Sequence, residues 1–362
     1  MNSRKRGIAI LMAMLTTLFV VSIVSAGSNG QGRDNGKPSH DDIVNFWTSD
    51  RIAGAVPRDF SRNPGDSRAS LKKPDSPGGG GNGGGGNGGG KPGGGSSSVE
   101  GADWVGASGT GSVQTTTGKL LFTLAGDPNS GYTCSGSVVN DGNTSDGKST
   151  ILTAGHCVFD AGVGGTGFVE NVMFIPDFDS STSGNWNDCS TAPYGCWTAT
   201  SLVTSSAWSV AADFEDDYGF AVVGDNGTAY GSLEGTVGSQ EIAFKLSHPA
   251  EVYAFGYPHA SPYDGRVLTY CAGTDINNPY GDSTVGLKCD MTGGSSGGPW
   301  FQDFVVEDGV GTLTSVNSYK YTRGKYSSYM FGPTFDDHTA ATFAQAQSVV
   351  PTDSGNFEVP AP

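Results

Sequence analysis

Positive charge is scarce in most of this 362-residue sequence: residues 99–362 hold 8 Lys and Arg against 29 Asp and Glu, whereas residues 1–98 hold 12 against 7. A surface that acidic excludes nucleic acid and anionic membrane as partners, because both are themselves polyanions. Cysteine is missing from the first 133 residues, so no lipidated cysteine follows Ala26. Apolar runs of membrane length are missing everywhere except Ile8–Val24. Helical periodicity is sparse, with one good candidate near Ala340–Ser348. Metal-ligand spacing is absent as well: His248, His259 and His338 stand apart, and neither Asp177/Asp179 nor Asp213/Glu215/Asp216 follows an ordered calcium-loop spacing. These acids read as a solvated face, and neither a metal nor an organic cofactor is expected.

What is present divides the chain into four parts. Arg4-Lys5-Arg6, the apolar run and the small pair Ser25-Ala26 follow the order of a signal peptide over residues 1–26, which implies export; the alternative is an uncleaved membrane anchor. Residues 77–98 contain 14 glycines, a composition unable to bury enough apolar surface to order itself, and form a flexible linker spanning roughly 25 Å. Residues 27–76 are expected to be a propeptide. Within them Asp41–Val56 has apolar residues at near-helical spacing and a helix start at Ser49/Asp50, suited to packing on the folding neighbour with the help of opposite charge; the alternative is a passive spacer.

Residues 99–362 alternate short β-rich runs with Gly, Asn, Asp and Ser clusters. The clearest strands are Lys119–Leu124, Ser135–Val139, Thr150–Thr153, Gly219–Val223, Glu251–Phe255 and Gly311–Val316. Many short strands with glycine-rich turns predict an all-β sandwich or barrel, at a size that accommodates two barrels. The six cysteines, Cys134, Cys157, Cys189, Cys196, Cys271 and Cys289, predict three disulfides in an exported chain. Fifteen pairings are possible in principle, and nearest-neighbour pairing is the simplest.

Three segments carry chemistry. His156 lies in Thr153-Ala154-Gly155-His156-Cys157, where a strand ends; a bridge from Cys157 to Cys134 would hold the imidazole still and contribute roughly 3 kcal/mol by loop closure. Ser296 lies in Gly293-Gly294-Ser295-Ser296-Gly297-Gly298-Pro299, between Cys289 and Trp300-Phe301. Glycines there permit steep dihedrals, expose the hydroxyl and aim successive N–H groups at one spot. Asp216-Asp217 stands at the start of a buried-looking strand, an ordinary turn acid were it alone.

Together and in this order the three segments resemble the trypsin-like (chymotrypsin-fold) serine peptidases, nearest the bacterial branch that includes glutamyl endopeptidases. Gly256-Tyr257-Pro258 looks like a further piece of that branch. The order His, Asp, Ser excludes α/β-hydrolases and subtilisins. The resemblance covers residues 105–350 and implies two antiparallel β-barrels with the active site in the cleft between them. It implies His156, Asp217 and Ser296 as a catalytic triad, with Asp216 the rival acid, and the N–H groups of Gly294 and Ser296 as the oxyanion hole. It also supports the Cys134–Cys157 pairing. The expected protein is a secreted, monomeric serine endopeptidase acting on proteins or peptides, free of the membrane after processing and accompanied by its own propeptide; the alternative is an inert homologue that binds a partner.

Two finer expectations follow. Ser295 stands where digestive members of the family carry the acid that pairs with a new N-terminus, so removal of residues 27 to about 100 is expected to relieve blockage without one required cut. Asp290, six residues before Ser296, implies cleavage after Arg or Lys, although the adjacent Cys289 alters the pocket. Asn317 replaces the histidine that the branch uses for glutamate, which argues against strict acidic preference.

Overall fold

The computed structural model describes residues 37–64, 101–142, 147–162, 164–179, 187–224, 231–350 and 355–361. The expected signal peptide and glycine-rich linker lie outside them. No helix among the described residues is long and apolar enough to cross a membrane.

Six antiparallel strands close the first barrel. Asp127–Val139 pairs with Thr117–Leu124, which pairs with Glu170–Pro176, then Trp197–Ser205, Gly219–Val223 and Ser149–Thr153, which returns to Asp127–Val139. Closure pairs each strand on both sides along part of its length, and Thr117–Leu124 is buried on both faces, as its run of Leu120, Leu121 and Phe122 requires.

The second barrel combines two sheets. Val310–Val316, Pro299–Val305, Glu251–Gly256 and Thr269–Thr274 form one, and Val285–Lys288, Tyr329–Gly332 and Tyr319–Tyr321 the other. The Cys271–Cys289 bridge joins them, with Cys134–Cys157 and Cys189–Cys196 in the first barrel, so nearest neighbours are paired throughout.

Each expected strand is present, several of them longer than the sequence indicated; Asp127–Val139 runs eight residues further back than Ser135. The C-terminal helix spans Asp337–Ser348, starting before Ala340 because the Asp336 carboxylate caps it, accepting from the N–H groups of His338 and Thr339. Its Phe343 meets Phe220 on the first barrel. Between the expected signal and linker, Asp41–Val56 carries parts of two short helices, His40–Phe46 and Ser49–Gly54, the second beginning at the expected Ser49/Asp50 start. The break falls where Thr48 caps the second helix and Trp47 turns inward, its Nε1 donating to the Asn171 carbonyl at 2.7 Å. Ile43, Trp47 and Ile52 join the core of the first barrel.

Lys119 is an exception within that core. It is 2 % exposed, its ammonium lies 4.3 Å from the centre of the Phe178 ring, and burial pushes its pKa down to about 7. Between about 7 and the ordinary 10.5 the native state therefore holds fewer protons than the unfolded chain, and stability rises with pH across that window. Lys119→Met is expected to raise the melting temperature at pH 7 by several degrees and to flatten its rise toward pH 9.5. Calorimetry at the two pH values checks this; a lower melting temperature with an unchanged pH slope would refute it.

Candidate active site

The histidine comes from a 3-10 turn, Gly155–Cys157, directly after the strand Ser149–Thr153. Cys157 ties that turn to Cys134 on the neighbouring strand. Asp217 follows a second 3-10 turn, Phe214–Asp216, at the mouth of the strand Gly219–Val223, which is paired to the histidine's strand. The Asp217 carboxylate is fully buried and doubly anchored on His156: Oδ1 accepts from the backbone N–H at 2.8 Å and Oδ2 from Nδ1 at 2.8 Å. Since a carboxylate only accepts, the ring proton is on Nδ1, and Nε2 is left as the acceptor. A Cβ at Gly155 would lie 3.1 Å from Asp217 Oδ1 and 2.8 Å from the Trp208 ring, so glycine permits this approach. Asp216 points elsewhere, to the Tyr218 hydroxyl and to His338 Nδ1, each at 2.7 Å.

The third predicted residue sits on a turn built from backbone bonds. Gly294 and Gly297 have φ of +94° and +78°, left-handed values that favour glycine, and a Cβ on Gly297 would fall 2.0 Å from Thr153 Oγ1. Ser135 clamps the turn from the first barrel, its N–H donating to Ser296 O at 2.7 Å and its hydroxyl to Gly294 O at 2.9 Å. Asn317 clamps it from the second, donating to Phe255 O at 2.8 Å and Ser295 O at 3.0 Å while accepting from Trp300 Nε1 at 2.7 Å. Its amide is fully engaged and buried, so it braces the turn. Ser296 is 6 % exposed at the edge of a cavity of about 150 Å³, and His156 Nε2, buried, has no hydrogen-bond partner among the described residues.

Met291, Met330, Tyr319 and Lys320 line the same cavity. Asp290 is nearby, but its Oδ1 already accepts from Gly101 N–H at 2.6 Å and from the Tyr263 hydroxyl at 2.8 Å. Burial lowers the Lys320 pKa to about 8, partly opposed by the charges of Asp290 and Asp59. A cation of the chain itself thus stands in the field of Asp290.

One occupant of the cleft was invisible in the sequence. Val56-Pro57 pairs in parallel with Tyr132-Thr133 of the first barrel, and Phe60–Arg62 pairs in parallel with Tyr319–Tyr321 of the second. Between them Asp59 Oδ1 accepts from Gly294 N–H at 3.3 Å, and Phe60 stacks edge-on against the His156 ring at 4.9 Å between centroids. Burial raises the Asp59 pKa, with the neighbouring His156 and the Gly294 bond pulling it the other way. Arg58 is wholly buried and ion-paired to Asp160, itself 1 % exposed and held by the Thr166 N–H at 3.0 Å. Ser318, whose hydroxyl donates to Asp217 Oδ2, also escaped sequence reading; the only signal was a serine at the end of a strand.

Comparison with solved structures finds serine proteases. A thermostable serine protease, AL20, from an extremophilic microorganism aligns with 35% identity over 65% of this chain and 98% of its own, with a TM-score of 0.55. The protease Anisep from Arthrobacter nicotinovorans aligns with 36% identity over 65% of this chain and 96% of its own, with a TM-score of 0.53. No protein-family model and no curated protein matches the chain.

Proposed function

The chain belongs to the trypsin-like serine peptidases, and from that premise we propose that it is a secreted endopeptidase, made as a precursor, which hydrolyses peptide bonds through an acyl-enzyme on Ser296. Ser296 Oγ attacks the scissile carbonyl while His156 Nε2 takes its proton. Asp217 holds the imidazole in the Nδ1–H tautomer and stabilises its cation. The negative oxygen of the tetrahedral intermediate is received by the N–H groups of Gly294 and Ser296, each donor lowering the barrier by roughly 3 kcal/mol. His156 then protonates the leaving amine, and water repeats the sequence to release the acyl group. Residues 27–76 act as a propeptide whose docked part blocks the cleft until it is removed. The three disulfides suit an oxidising, extracellular destination.

The observation that carries this reading is the arrangement of His156: Nδ1 is fixed on a doubly anchored buried carboxylate, while Nε2 is buried and has no hydrogen-bond partner among the described residues. A serine-directed phosphonylating reagent is expected to label the processed protein once, at Ser296; absence of that adduct favours an inert homologue that binds without turnover. As for the scissile residue, Lys320 already stands near Asp290, so we expect only a weak preference for Arg and Lys. Peptide-library profiles of the wild type and Asp290→Ala read this directly. A strong basic preference lost in the variant would restore Asp290 as the base of the pocket.

A further inference from the structure

We propose that Val56–Arg62 is an inhibitor strand, paired in parallel with both barrels and held in the cleft by the Asp59 side chain in place of a peptide carbonyl, and therefore not a substrate. The inference rests on the reading of Ser296 and Gly294 given above, and it identifies how that site is shut.

The strand crosses from one barrel to the other with a pairing at each end. Val56 lies opposite Tyr132, Phe60 opposite Tyr319 and Arg62 opposite Tyr321, all in parallel register. Backbone bonds extend both ends, Arg58 N–H donating to Thr133 O at 3.2 Å and Thr322 N–H to Arg62 O at 2.9 Å. Ion pairs of Arg58 with Asp160 and of Arg62 with Asp282 fix the side chains next to these contacts. Register and direction are thus set by two barrels at once, and the middle of the strand is delivered onto the serine turn.

What arrives there is a carboxyl group. Asp59 Oδ1 takes the Gly294 N–H, and a Cβ on Gly293 would fall 1.6 Å from Asp59 Oδ2, so the glycine pair makes room for this side chain. For attack, a peptide carbonyl must have its oxygen on those donors and its carbon facing the serine hydroxyl. Here the donor is used by a carboxylate, whose resonance makes its carbon a poor electrophile, and Phe60 covers the His156 ring that would receive the proton. The segment binds where a substrate must bind while no peptide bond of its own is presented.

The test reads labelling of Ser296 by a phosphonylating reagent in the full chain. Intact wild type is expected to label at least 100-fold more slowly than the processed protein, and Asp59→Ala/Phe60→Ala to label at least tenfold faster than the intact wild type. Because that double variant could fold poorly, a second variant, Ser61→Cys/Lys320→Cys, places thiols on residues opposite each other in the parallel register. Its oxidised form is expected to contain the new disulfide and resist labelling, and mild reduction to increase labelling. Failure of the processed protein to label would overturn the catalytic reading itself. Equal labelling of intact and processed wild type, a cysteine pair that does not close, or scission of Arg58–Asp59 or Asp59–Phe60 by the chain's own serine would overturn the inhibitor strand alone.

Discussion

Ser296→Ala is expected to lower kcat by about a millionfold and leave KM within a few-fold, since the hydroxyl forms a bond only during the reaction while the cleft that binds the peptide is kept. His156→Ala is expected to match it, and the double variant to be no worse than either, because nucleophile and base act as one unit. Asp217→Asn differs in kind. Oδ1 and Oδ2 both accept from His156, and an amide would offer a donor where an acceptor is needed, favouring the tautomer with its proton on Nε2. A loss of about 10⁴ is expected from the wrong tautomer alone. Steady-state kinetics on a peptide substrate, with active-site titration to correct for active fraction, measures all four variants. Retention of more than a hundredth of wild-type kcat in Ser296→Ala would remove Ser296 from the mechanism.

Asp160→Ala should open the intact precursor. Arg58 has no exposed surface, and among the described residues its ion pair is with Asp160. Burial already lowers the Arg58 pKa, with Asp160 as the main opposing influence. Removing one partner of a buried pair typically costs about 3–5 kcal/mol, because the remaining charge has lost its compensation. The docked strand can escape that cost by leaving, so about 3 kcal/mol would lower its docking equilibrium constant more than 100-fold and give the uncut chain measurable activity. Arg58→Met should have the smaller effect, since Asp160 keeps the Thr166 N–H and hydroxyl as donors. Peptidase assays on uncut chains, with gel analysis to verify that they are uncut, compare the two. Equal and undetectable activity in both would show that the ion pair does not hold the strand.

The candidate site was legible because each residue proposed to react lies in a local signal: a histidine between glycine and a bridged cysteine, a serine among glycines, an acid before Tyr-Gly. The barrels were legible in part because strands such as Gly219–Val223 are buried on both faces and read as continuous apolar runs. Strands outside the reading, such as Trp197–Ser205, mix Thr and Ser with apolar residues, and their place is fixed by neighbours distant in sequence. Ser318, Lys320 and Asp59 were missed for the same reason: what each does depends on groups 101, 30 and 235 residues away, respectively Asp217, Asp290 and Gly294. Asn317 was noticed for its position, yet its three hydrogen bonds make it a brace for the serine turn, something no local pattern encodes.

The strand Val56–Arg62 belongs to the same polypeptide as the cleft it fills, which changes how tightly it has to bind. A connection of some tens of residues with the glycine-rich composition of 77–98 would keep the strand at an effective concentration on the order of millimolar. A dissociation constant of about 10 µM would then leave roughly one site in a hundred open while the tether is whole. One cut between the strand and Gly101 would replace that local concentration with the bulk concentration of the protein. If that is far below 10 µM, the same contacts release the strand without being weakened. Activation therefore requires neither a conformational change in the barrels nor destruction of the inhibitor, only its dilution.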